Sequence, residues 1–157
     1  MHLKQLGGVT SFRQYMDFAL NDPNHGFYGS GRAQISRDGD FVTSTALGTD
    51  FAGLLAIQVE RWLAELPADL PTLSLIEIGP GEGDLLADLV DALTDLSPQI
   101  LHRLELVLVE ANPGMKQRQQ ARLQHHTNIP LRWCSLDELF AAPLRGLVLA
   151  HELLDAL

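Results

Sequence analysis

The sequence is short of cysteine, of basic residues and of long apolar runs, and each shortage narrows what the chain can be. A single cysteine, Cys134, forbids an intrachain disulfide and suits a reducing compartment. Eleven Lys and Arg stand against twenty Asp and Glu, for a formal net charge of −9. Nucleic-acid affinity comes mainly from neutralising phosphates with Lys and Arg. DNA and RNA are therefore disfavoured partners, whereas a basic protein segment would be steered toward this surface. No apolar run approaches the ~18 residues of a membrane span. The first eight residues form neither an apolar signal core nor an Arg-rich transit segment. Together these features predict a cytoplasmic protein without membrane contact. No metal is expected: His125 and His126 adjoin, so their side chains diverge, and no Cys, His or Asp completes a ligand set beside them. A length of 157 residues fits one domain.

What the chain does have is concentrated in Leu75-Ile76-Glu77-Ile78-Gly79-Pro80-Gly81-Glu82-Gly83, an apolar strand ending in an acid and a glycine-rich turn. Leu85, Leu86, Leu89, Val90 and Leu93 follow at helical spacing. Strand, glycine turn and helix make a place where an adenosine ligand can lie against bare backbone. Glycine tolerates positive φ and carries no Cβ, and the helix N-terminus presents unpaired N–H groups. A dinucleotide fingerprint, G-x-G-x-x-G/A, requires Gly or Ala at position 84; the residue is Asp84, an anion where a pyrophosphate would approach. That disfavours a nicotinamide enzyme. The chain reads E-x-G-x-G-x-G instead, which resembles motif I of the class I methyltransferases, enzymes that bind S-adenosylmethionine (SAM). A glycine-rich turn that binds nothing is the plainer alternative.

A second acid, Glu110, ends the apolar run Leu104-Glu105-Leu106-Val107-Leu108-Val109, which suits a buried parallel strand. It stands further along than the ~20 residues usual for the ribose acid of dinucleotide folds. A helix over 85–96 and a Ser97-Pro98 loop fill the gap. A carboxylate at that strand end can accept hydrogen bonds from both ribose hydroxyls; taken alone, Glu110 equally fits an ordinary solvated acid.

The remaining pattern is α/β. Ser11-Phe12-Arg13-Gln14 is a capping box, opening a helix with Phe12, Tyr15, Met16, Ala19 and Leu20 on one face, which residues 21–26 stop. Residues 29–50 are glycine-rich and polar, with a turn at Asp38-Gly39-Asp40 and a short strand at Phe41-Val42. A helix is predicted over 51–66, then a connector over 67–71. That connector divides a helical and loop segment, 1–70, from an α/β unit, 71–157. Strands at 73–78, 104–110, 131–133 and 146–150 alternate with helices at 85–96, 113–124 and 136–140, so a parallel sheet with helices on both faces is predicted. The last strand reads as a central one, yet its outer neighbours are missing, and a bare apolar edge is an aggregation hazard. The sequence therefore predicts an incomplete Rossmann-like domain, its first four strands only, from the N-terminal portion of a longer protein.

Several segments then converge on one family. Phe12-x-x-Tyr15-Met16-x-x-Ala19-Leu20-x-x-Pro23-x-x-Gly26-Phe27-Tyr28, Gly39-Asp40-Phe41-Val42-Thr43-Ser44 and the motif I stretch resemble the MidA-like class I SAM-dependent methyltransferases. His151-Glu152-Leu153-Leu154-Asp155-Ala156-Leu157 is similar to that family's Asn-Glu-Phe-Phe-Asp-Ala-Leu block, with His151 in place of Asn. Thr45-Ala46-Leu47-Gly48 departs from the family's usual Pro-Glu-Ile-Ser. The resemblance implies the class I methyltransferase fold, SAM as cofactor and, from the mitochondrial members that serve complex I assembly, a protein arginine as acceptor.

Under that reading Glu77 orients backbone or the SAM ammonium. Gly79, Gly81 and Gly83 allow close approach, and Glu110 holds the ribose. Ser135 and Leu136 flank adenine, one by hydrogen bonding and one by apolar contact. A guanidinium acceptor needs carboxylates that grip it in a bidentate fork. Glu152 and Asp155 follow the fourth strand three residues apart, so a helical turn would put them on one face as the catalytic pair. They equally fit a helix-start acid and a solvated one. Asp40, Thr43 and Ser44 could line the cleft mouth. A non-catalytic assembly module that keeps the fold is the rival reading.

Overall fold

The computed structural model describes residues 8–33, 48–126, 128–141 and 143–154. Among these residues the elements are, in chain order, α1 (Phe12–Asn21), α2 (Asp50–Ala64), β1 (Leu73–Ile78), α3 (Asp84–Leu96), α4 (Pro98–Leu101), β2 (Leu104–Val109), α5 (Pro113–Leu123), β3 (Leu131–Cys134), α6 (Leu136–Phe140) and β4 (Gly146–Leu149). The strands form one parallel sheet in the order β3-β2-β1-β4. The chain winds outward from β1 through β2 to β3, then returns to the other side of β1. This reversal puts a switch point at the carboxyl end of β1, where open α/β sheets bind ligands.

Alternation along the strands divides the apolar residues between two faces. On one face, Leu73 and Leu75 of β1 and Leu104, Leu106 and Leu108 of β2 share a core with α3. Ala52, Ala56, Val59 and Leu63 of α2 belong to the same core, although α2 precedes the 67–71 connector. That connector is tied down by Arg103, whose guanidinium donates to Leu70 O at 2.9 and 3.2 Å and to Pro67 O at 3.0 Å. On the other face, Ile76, Val107, Val109, Cys134 and Leu139 form a smaller cluster, in which Cys134 is a buried thiol.

The α/β architecture follows the predicted order, with two differences. The expected Ser97-Pro98 loop is the short helix α4, opened by Pro98 at a first helical position, where its missing N–H is no loss. The capping box of α1 forms, with Ser11 Oγ accepting from Gln14 N–H and the Gln14 side chain accepting from Ser11 N–H. Its apolar face is not in the core, however: no residue of α1 is buried, and Phe12 is 75% exposed. The turn at 38–40 and the strand at Phe41-Val42 lie outside the described residues. Among the described residues no helix is long and apolar enough to cross a membrane.

Candidate functional site

The loop leaving β1 turns on three glycines in left-handed conformation, Gly79, Gly81 and Gly83, with φ of +67°, +54° and +87°. A side chain is strained there. Gly83 is also the N-cap of α3 and has no side chain with which to cap it. Glu77 faces this helix start from the strand: the N–H of Leu86, in the first turn of α3, favours the charged form of its carboxyl. Oε2 of Glu77 has no hydrogen-bond partner among the described residues, and the residue is 3% exposed. Burial, reinforced by the charge of Asp84, pushes this carboxyl up to about 8, with the Leu86 N–H pulling the other way. Glu77 is thus a buried acid shifted toward its protonated form, with one oxygen unpartnered among the described residues.

The glycines serve the backbone more directly than they serve a ligand. A β-carbon on Gly79 would lie 2.7 Å from Leu153 Cδ1, and one on Gly83 would meet the Gln119 side chain at 3.5 Å. In both Cβ directions the chain's own side chains take the space, so the close approach expected there is not what these two absent β-carbons provide.

Glu110 lies beside this loop. It follows β2, and its N–H donates to Cys134 O of β3 at 3.3 Å. Oε1 accepts from Asn112 N–H at 2.8 Å, and Oε2 accepts from Gln119 Nε2 at 3.2 Å. The same Gln119 nitrogen donates to Gly81 O at 2.8 Å. One amide therefore touches both the strand-end acid and the glycine turn. A carboxylate has about four lone-pair sites, so half-buried Glu110 keeps capacity for two further donors.

The N-terminal segment closes the rim. Asn112 caps α5 by accepting from Gly114 and Met115 N–H and donates its own amide to Tyr28 O. Arg118 of α5 bridges Glu82 of the glycine loop to Ala33 O. Gly114 packs against Gly31, backbone on backbone. Asp84, which argued against a dinucleotide, is held by Arg122 Nε at 2.7 Å, while the same guanidinium reaches Asp88 at 2.6 Å. Its charge is thus balanced from α5; what departs from the fingerprint is its side chain.

Ser135 and Leu136 stand just past β3, next to Glu110. Ser135 is the N-cap of α6: its hydroxyl accepts from Glu138 N–H at 3.2 Å and donates to Glu138 Oε2 at 3.0 Å. That hydroxyl carries a structural bond the sequence reading did not assign to it. Leu136 is 47% exposed.

The turn after β4 departs from expectation. Glu152 has φ +51°, so it is not part of a right-handed helical turn. Its carboxylate is exposed, with His151 Nε2 at 3.8 Å, and the His151 ring lies 5.0 Å from Phe51 of α2. Leu153, the next residue, lies on Gly79, which brings this turn over the glycine loop. Asp155, Asp40, Thr43 and Ser44 lie outside the described residues, so the pairing of Asp155 with Glu152 does too.

Sequence reasoning missed Gln119, Trp133 and Leu153. A signal for the first was present: Met115, Gln119 and Leu123 recur every four residues, and all three are buried. A Gln on such a stripe is a polar group in a core position.

Comparison with known proteins agrees with the motif reading. The model of a family described as "Putative S-adenosyl-L-methionine-dependent methyltransferase" matches residues 54–157. The mitochondrial protein arginine methyltransferase NDUFAF7 of Danio rerio is 29% identical over 96% of this chain and 39% of its own length. Its Bos taurus counterpart is 30% identical over 82% of this chain and 29% of its own. A Burkholderia thailandensis protein solved with S-adenosyl-homocysteine bound superposes with a TM-score of 0.70 and 28% identity, over 98% of this chain and 39% of that one. The chain thus spans between about a quarter and two fifths of these relatives. The cytoplasmic expectation does not stand, since the curated relatives are mitochondrial proteins. The chain belongs to the S-adenosyl-L-methionine-dependent methyltransferase family that its residues 54–157 match.

Proposed function

We propose that this chain forms the SAM-binding part of a methyltransferase that acts on a protein arginine. The observation that carries the reading is the pairing of Glu77, buried with an unpartnered oxygen, and Glu110, held against the glycine turn, at the carboxyl end of β1. An ammonium suits the first and two vicinal hydroxyls suit the second. When bound, SAM supplies a sulfonium methyl group for in-line displacement.

The chain's own residues bind and orient. Glu77 ionises against the ammonium, and the Leu86 N–H favours that charged form. Gly79, Gly81 and Gly83 keep the turn tight, and Glu110 accepts from the ribose. Ser135 and Leu136 border the adenine, Leu136 through its exposed apolar face. Glu152, on the turn above the glycine loop, accepts from the acceptor guanidinium and with Asp155 would fix which nitrogen faces the methyl. Residues 1–70 serve as the N-terminal segment, and 71–157 supply the strands and loops that hold the cofactor. Net charge −9 suits a basic protein partner and opposes nucleic acid. The arginine acceptor is supported by the names of the curated relatives.

The test is Glu152→Gln in the full-length protein. Methylarginine formation on a partner protein, read by mass spectrometry, is expected to fall by roughly 10³-fold, while SAM affinity stays within about twofold. Loss of SAM binding would move Glu152 to the cofactor side. Methylation of another residue type by the unaltered protein would overturn the arginine assignment.

A further inference from the structure

Gln119 is fully buried in the middle of α5, at 0% exposure. A buried amide is costly unless its hydrogen bonds are met, and here both ends are engaged. Trp133 Nε1 donates to Gln119 Oε1 at 2.8 Å. Gln119 Nε2 donates to Gly81 O at 2.8 Å and to Glu110 Oε2 at 3.2 Å. An indole nitrogen can only donate, so Trp133 selects one of the two amide orientations. The flipped amide would set N–H against N–H at Trp133 and oxygen against oxygen at both Gly81 and Glu110. The indole of β3 thus sets the amide of α5, and the amide sets the acid after β2 relative to the turn after β1. A packing role alone would be filled by Leu or Met, as at Met115 and Leu123 on the same stripe.

We propose that Gln119 is a positioning residue for the cofactor ribose: oriented by Trp133, it holds the Glu110 carboxylate in register with the glycine turn, so that the remaining lone pairs meet the sugar hydroxyls. This rests on the SAM reading above. Gln119 itself does not touch the sugar; it fixes the group that does.

The test compares calorimetric affinities of the full-length protein for S-adenosyl-homocysteine and for its 2′-deoxyribose analogue. The unaltered protein is expected to discriminate by roughly tenfold or more, as for a hydrogen bond to a charged acceptor. Gln119→Leu is expected to weaken S-adenosyl-homocysteine binding and to shrink the discrimination to about twofold or less, because Glu110 then keeps only its Asn112 N–H and loses its tie to the glycine turn. Gln119→Glu keeps the side-chain shape and the acceptor for Trp133 but loses the amide donors when ionised, so it should lose the discrimination as well. It covers the case in which the Leu variant does not fold. Trp133→Phe should reduce discrimination in the same direction by a smaller factor. Variants at 119 that bind more weakly yet keep the unaltered discrimination would overturn the proposal and leave Gln119 a structural residue. Failure of the unaltered protein to bind S-adenosyl-homocysteine would instead overturn the SAM reading together with this one.

Discussion

Burial pushes the Glu77 carboxyl toward its protonated form, outweighing the single N–H that would favour its charge. Its folded value, about 8, lies above the ordinary 4.5. Between those values the folded state binds a proton that the unfolded chain has released, so the stability Glu77 contributes is fully present below the lower value and is lost as pH rises through the higher one. At about 1.4 kcal/mol per unit, the loss is on the order of a few kcal/mol. Glu77→Gln should flatten that fall in denaturant melts between pH ~5 and ~8; an unchanged slope would place the ionisation elsewhere. An ammonium at Glu77 would stabilise the carboxylate, so SAM binding near pH 7 should release up to about one proton, seen as a buffer-dependent binding heat that Glu77→Gln abolishes. Glu77 and Glu110 stood out in the sequence because each lies at the end of an apolar run, although Glu110 alone fits an ordinary solvated acid equally well. Gln119 did not, because its value lies in three partners on three other elements. Nor did the conformation of Glu152, since nothing in His151-Glu152-Leu153 signals a left-handed residue. Such a backbone is disfavoured by about 1–2 kcal/mol for a side chain. Glu152→Gly should therefore raise thermal stability while removing methyl transfer; unchanged or lower stability would mean that the turn is not strained at this residue.

Elements were easiest to read where the local code and the tertiary packing agree. The capping box read at Ser11 forms, and one that was not read forms at Ser135, because an N-cap hydroxyl and a Gln or Glu three residues on meet within one turn. The strands follow from apolar runs at positions that the sheet buries. The pattern misled at α1, where an apolar stripe exists without a core to receive it, and at Ser97-Pro98, where proline starts a helix rather than ending one. Ser135 shows a limit of motif reading: a residue assigned to adenine already caps a helix. Ser135→Ala should lower stability by about 1 kcal/mol, the usual cost of losing such a cap, and if it also borders adenine, SAM affinity falls with it. Gly146 gives an element-scale prediction of another kind. A β-carbon there would lie 1.8 Å from Ser74 O, in the backbone of β1, which cannot rotate aside. Gly146→Ala should unseat β4 from β1 and lower stability by more than the ~1–3 kcal/mol of an overpacked side chain. Amide hydrogen exchange at Leu147 and Leu149 is the direct readout, and unchanged protection would contradict the pairing.

At the scale of the whole molecule, the order β3-β2-β1-β4 gathers Glu77, the glycine turn, Glu110 and Ser135 at the carboxyl ends of three adjacent strands. Alternation of strand and helix was enough to predict the parallel sheet with its loops at one end, since parallel strands need crossovers, but not the strand order. Compartment was not legible in the same way: one cysteine and an acidic surface report redox state and charge, which different compartments share. The chain also spans a minority of its curated relatives' length. The central claim is that the turn after β1 and the acid after β2 hold one SAM molecule. Titration calorimetry of the full-length protein with S-adenosyl-homocysteine, with and without Glu110→Ala, tests it most directly. The account predicts saturable one-to-one binding that Glu110→Ala weakens by roughly tenfold or more. Absence of saturable binding, or an unchanged affinity in the variant, would contradict it.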